Sequence, residues 1–144
     1  MSPLALTPKT KAERIADANY LILQISMFGR RFFYNDRYDR VARFEITIDG
    51  KLWFRDDYTD ERVYVAYRGH WRNFSHGGTL RRLVEALAKY IRRGERISAS
   101  HFGPWPEWCC DGDPWGYGKE TMAKLRSAVR PSDCVACSPR AEAA

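Results

Sequence analysis

Four sets of side chains in this chain have the types and spacing to do chemistry. The first is Arg43, Glu45, Thr47, Trp53, Arg55, Arg62 and Tyr64, which alternate with apolar residues along three short segments. Alternation puts them on one face of a sheet. There, aromatic rings can stack on bases while guanidinium groups meet phosphate. The same residue types also dominate protein-binding hot spots. In the competing reading, Trp53 and Tyr64 pack beneath another element and the arginines serve only as cross-strand partners of Glu45.

The second set is Ser75-His76-Gly77-Gly78-Thr79, ahead of a basic helix. Gly77, Gly78 and Thr79 form a candidate anion site, because free N–H groups at a helix start can hold an anion and glycine allows close approach. Arg81 and Arg82 would add charge. No Gly-Lys-Ser/Thr follows at phosphate-loop spacing, so this is not a nucleotide-binding loop of that type. A plain helix entry capped by Thr79 explains the pattern with fewer assumptions.

Cysteines make the third set. Cys134 and Cys137 have zinc-compatible spacing, and Cys109 and Cys110 could complete four ligands. Adjacent cysteines rarely supply two tetrahedral ligands cleanly, so free thiols and no metal or other cofactor are expected. The fourth set is acidic: Asp56, Asp57, Asp60 and Glu61 in one turn, Asp111 and Asp113 in another. Paired carboxylates can hold Mg²⁺ for phosphoryl chemistry, which makes a metal-dependent nuclease an alternative. Aspartates also favour turns for backbone reasons. His70, His76 and His101 are scattered and fit no metalloprotease or nucleophile-elbow pattern. Without a nucleophile, base and orienting group, no catalytic residue is assigned and a non-enzyme is expected.

The elements that must position these residues follow from periodicity. Thr10 and Glu13 have capping-box spacing, and Ile15, Ala18, Ile22 and Ile25 recur at helical intervals, with Leu21 and Leu23 broadening the face and Gly29 as a stop. Residues 31–35 suit a short strand. Asp49-Gly50 marks a hairpin between 41–47 and 51–55. A three-residue loop, 48–50, with Gly50 left-handed, pairs Ile46 with Leu52 and Phe44 with Phe54. That register gathers the apolar residues on one face, whereas a two-residue turn would scatter them. A turn through 57–60 leads to a third strand, 62–67. A helix over 79–93 buries Leu80, Leu83, Val84, Leu87 and Ile91, with Gly94 as its cap. Residues 98–118, which include Trp105, Trp108 and Trp115, read as an aromatic loop packed over a core edge. A last helix over 119–129 buries Met122, Leu125 and Val129, and Pro131 stops it.

The expected fold class is therefore α+β: an antiparallel sheet of three or four strands flanked by two or three helices. One domain spans 1–131, with a loose leader over 1–9 and a flexible cysteine-containing tail over 132–144. A chain of 144 residues is long enough to bury a core without disulfides or a metal. No apolar run is long enough to span a membrane, and no signal peptide is evident, so a cytoplasmic protein is expected. The net charge of +6 favours anionic partners, among them nucleic acid.

Gly77-Gly78-Thr79-Leu80, Phe102-Gly103-Pro104-Trp105 and Asp113-Pro114-Trp115-Gly116-Tyr117-Gly118 resemble segments of small proteins from bacterial prophages and other mobile elements. The resemblance covers about residues 20–130. It implies an accessory role, binding host or phage machinery. One such class is the anti-CRISPR proteins, inhibitors that bind a nucleoprotein defence complex; the positive charge departs from their acidic, DNA-mimicking type. The reading is a non-catalytic macromolecule-binding protein whose partner is a protein or nucleoprotein complex. Arg43, Trp53, Arg55 and Tyr64 are its main contact residues, Arg81 and Arg82 a second group, and basic nucleic-acid binding is the alternative.

Overall fold

Thr10 starts the first helix by the expected reciprocal cap: the Glu13 N–H donates to Thr10 Oγ1 at 3.1 Å and the Thr10 N–H donates to Glu13 Oε1 at 2.8 Å. The computed structural model describes residues 9–27, 32–76, 78–102, 119–129 and 134–136. Helix α1 runs Lys11–Ser26 and buries Ala18, Leu21, Ile22 and Ile25. Leu23, expected to widen the apolar face, is exposed. The helix ends at Met27, short of Gly29.

Strands β1 (Tyr34–Asn35) and β2 (Arg40–Val41) form a small antiparallel pair of their own. The main sheet is antiparallel, with β3 (Arg43–Ile46), β4 (Leu52–Arg55) and β5 (Arg62–Tyr64) in sequence order. The expected strand 41–47 is thus divided at Ala42, and the expected 62–67 stops at Tyr64, where Tyr67 N–H donates back to the Tyr64 carbonyl at 3.1 Å. Register follows the apolar pattern: Phe44 opposes Phe54 and Ile46 opposes Leu52. Gly50, at φ +86°, supplies the left-handed turn residue. Phe44, Leu52, Phe54 and Val63 are buried together on one face. Ile46, at the strand's end, lies on that face but is 37% exposed.

Helix α2 (Gly78–Arg93) buries the whole predicted stripe, Leu80, Leu83, Val84, Leu87 and Ile91. Gly94, at φ +80°, closes it by donating its N–H to the Tyr90 carbonyl at 2.8 Å. Helix α3 (Lys119–Val129) buries Met122, Leu125 and Val129. Gln24 ties α1 to it, donating from Nε2 to the Ala128 carbonyl at 3.0 Å. The α+β class stands, with three helices and a three-stranded antiparallel sheet among the described residues.

The chain beyond 131 is not uniformly a flexible tail. Strand β7 (Val135–Ala136) pairs in parallel with β6 (Ile97–Ser98), and Cys134 and Val135 are buried. Ile97 N–H donates to the Cys134 carbonyl at 2.9 Å, and Arg96 Nη2 donates to the Val135 carbonyl at 2.7 Å. An apolar Val135 and satisfied backbone hold the segment in place. The aromatic loop over 103–118, with its tryptophans, lies outside the described residues.

Asn19 joins the helical layer to the sheet. Its amide donates to the Phe44 carbonyl at 3.1 Å and accepts from the Phe44 N–H at 2.6 Å. The side chain thereby does what a neighbouring strand would do for the outer edge of β3. Asn19→Ala leaves both backbone groups of a buried residue unsatisfied. The expected loss is about 2 kcal/mol of stability, read from the midpoint of urea unfolding.

Candidate functional site

Alternation in β3, β4 and β5 sends Arg43, Glu45, Trp53, Arg55, Arg62 and Tyr64 to the face opposite the core. Trp53 opposes Tyr64 in register, and their rings lie 5.2 Å apart at 48°. Trp53 Nε1 donates to Thr47 Oγ1 at 3.3 Å, fixing the indole, while Lys51 stands 5.6 Å from the Tyr64 ring centre. Trp53 is half-buried and Tyr64 exposed, so neither is sealed inside. The structure therefore brings Arg43, Trp53, Arg55 and Tyr64 together.

The arginines on this face converge on one carboxylate. Glu45 accepts from Arg55 at 3.3 and 3.2 Å and from Arg62 at 2.8 Å, and Arg43 lies 3.4 Å away. Arg55 also donates to the Asp60 carbonyl at 2.8 Å. Burial works against the Glu45 charge. The hydrogen bonds from Arg55 and Arg62 and the charges of Arg55 and Arg43 outweigh it, and the carboxyl lies below its usual value of 4.5. The arginines are held in a fixed array and part of their charge is cancelled locally.

Beside the Trp53–Tyr64 pair runs an open groove of about 530 Å³, whose far wall is the 67–73 segment with Tyr67, His70, Trp71 and Arg72. Trp71 is buried and donates from Nε1 to the Tyr67 carbonyl at 2.8 Å. Arg81 holds this wall from behind. Its guanidinium lies 4.3 Å over the Trp71 ring, donates to the Gly69 carbonyl at 3.0 Å and pairs with Glu85 at 3.3 Å. Arg81 is thus a support of the 67–73 segment, while Arg82 is exposed on α2; neither joins the sheet face.

Gly77 lies outside the described residues. Helix α2 begins at Gly78, so Thr79 is its second residue rather than its cap. Cys109, Cys110 and Cys137 also lie outside the described residues. Cys134 is buried, its thiol 4.0 Å from the Asp17 carbonyl.

The 56–61 acids and His76 stand apart in sequence, and the fold brings Asp56 and Asp57 to His76. Asp56, Asp57 and His76 bring their ligand atoms within 4.8 Å of one another. The two aspartates are buried, and His76 Nε2 lies 2.6 Å from Asp57 Oδ1. Phe33, held at φ +65°, sets its ring 4.9 Å from the imidazole, and Phe74 follows at 5.6 Å. Asp56 accepts from the Tyr58 and Thr59 N–H groups at 2.9 and 3.0 Å on one oxygen. Its other oxygen accepts from the Ser75 N–H and hydroxyl at 2.9 and 3.0 Å. A cation at this trio would have to compete with those bonds. The arrangement suits a staple that fixes the β4–β5 turn to the entry of α2. The signal available in sequence was only the Asp-Asp pair before a turn, because residues 57 and 76 meet through tertiary folding.

Comparison with known proteins gives one close frame. The family described as YoqU matches residues 9–135. The chain is similar to a protein of Bacillus subtilis (strain 168) described as "SPbeta prophage-derived uncharacterized protein YoqU", at 39% identity over 120 residues, covering 82% of this chain and 80% of that one. The resemblance to prophage proteins drawn from the sequence therefore holds. No solved structure matches.

Two outcomes test this geometry. Because the folded pKa of Glu45 is depressed, its contribution is present above about pH 4.5 and is lost as pH falls through the lower folded value. Glu45→Gln should therefore be less stable than the unaltered protein at neutral pH, with the gap closing in strong acid, as read by urea unfolding at each pH. Asp56→Ala should cost at least about 3 kcal/mol in the same assay, since it strands several donors at once.

Proposed function

The chain belongs to the YoqU family, and we propose that it works as a non-catalytic accessory protein that binds a protein partner through the Trp53–Tyr64 face. The observation that carries this reading is an aromatic pair set in an ordered arginine array beside an open groove. Trp, Tyr and Arg are the residue types that concentrate binding energy at protein interfaces. Preordered rings and guanidinium groups lose little freedom on binding. The prophage origin of the relative supports host or phage machinery as the partner class.

Nucleic-acid binding draws on the same residues, and the charge of +6 favours it. Against it stands Glu45, which already engages Arg55 and Arg62 and sits beside Arg43. A phosphate would have to displace that carboxylate while meeting its repulsion. Protein contacts tolerate a mixed-sign face more readily.

The test is capture from host lysate by the tagged full chain, compared with Trp53→Ala. A specific protein should be retained at elevated salt by the unaltered chain, with affinity for Trp53→Ala lower by about 2 kcal/mol, roughly 30-fold. Identical capture by both chains would exclude this face. Binding to nucleic acid that falls steeply with salt would instead establish the phosphate-contact mode. Mg²⁺-dependent cleavage of nucleic acid lost in Asp57→Asn would refute the non-catalytic reading.

A further inference from the structure

The two outer edges of the main sheet are not equivalent. Along an antiparallel strand, successive residues turn their backbone groups to opposite sides. Two bonds set that alternation: Thr47 N–H to the Lys51 carbonyl and Asp56 N–H to the Glu61 carbonyl, each 3.0 Å. With the observed register, Val63 bonds inward to β4, while Arg62 and Tyr64 turn their backbone groups outward. On the opposite edge, the outward groups of Phe44 are both taken by Asn19. On the β5 edge the Tyr64 carbonyl is used by Tyr67 N–H. Among the described residues, none bonds to the Arg62 N–H, the Arg62 carbonyl or the Tyr64 N–H.

This open edge borders the groove described above. The charged lining of the groove is Arg62 and Arg72, with no carboxylate. Arg62 is held by Glu45. Arg72 is exposed and has no ion-pair partner among the described residues. We propose that an extended segment of the partner protein adds as a fourth strand along β5. It places a carboxylate side chain against Arg72 and an apolar or aromatic side chain against Tyr64 and Tyr67, both exposed in the groove lining. Main-chain bonds to Arg62 and Tyr64 hold the segment, and the alternating side chains select it. A second copy of this chain is a poor occupant, because its own β5 edge brings the same arginine-lined groove, with no carboxylate in that lining to meet Arg72. The inference rests on the protein-binding reading and specifies how the same face is used.

The test selects a random-peptide library on the full chain and uses one enriched peptide, synthesised, as the probe. Enriched sequences should carry Asp or Glu alternating with apolar residues at a period of two. The probe should slow hydrogen exchange at the Arg62 and Tyr64 amides of the unaltered chain. Arg62→Pro removes the outward N–H but spares the ladder bonds, which run through Glu61 and Val63. It should bind the probe about tenfold more weakly than Arg62→Ala does. A probe that binds without protecting those amides overturns strand addition, as does equal binding by the two variants. The protein-binding face would still stand if Trp53→Ala loses the lysate partner. A library that yields no enriched peptide, or sedimentation showing self-pairing through β5, also overturns it. The exchange measurement needs no variant, so it decides the matter even where Arg62→Pro fails to fold.

Discussion

The bracket between Asn19 and Phe44 is the constraint on which the arrangement depends. The Phe44 ring enters the core while its backbone is satisfied from α1. One residue therefore ties the backbone of β3 to the helical layer. Because β3 is anchored this way, the outward backbone groups of Phe44 are taken, while the β5 edge borders the open groove. Phe54 packs edge-on against both Phe44 and Phe33, carrying that order across to the His76 cluster.

Glu45 plays the corresponding part on the outer face. Three arginines on three strands would repel one another if left alone, and like charges directly opposite are destabilising. Arg43 faces Arg55 and Arg55 faces Arg62 in register. A single half-buried carboxylate between them turns the conflict into a cross-strand link. The result is a face whose charge is patterned rather than simply positive, beside an aromatic pair that keeps part of its surface in water.

Much of this was legible from residue order. The capping box at Thr10, the stripe of α2 and the Gly50 hairpin register each depend on neighbours within a few positions, where periodicity and turn chemistry carry the information. The outward set from Arg43 to Tyr64 follows from the same register. What was missed lies at long separation. The union of Asp57 with His76, the seating of Val135 beside Ile97 and the stacking of Arg81 on Trp71 have no local signature. The seating of Val135 was missed because a two-residue strand is too short to show alternation, and only its partner strand reveals it. Ile46 failed for the opposite reason, since it obeys the alternation but sits where the covering layer has ended.

By itself, the amino-acid sequence determined which residues form helices, where the main hairpin turns and which side chains share a sheet face, because local sterics and the burial of apolar rows act over short stretches of chain. Tertiary structure alone decided which edge of the sheet stays open, how the arginines are neutralised and which acids meet a histidine. Those outcomes depend on the pairing of groups distant in sequence, whose cost in chain entropy is met only once the core has assembled.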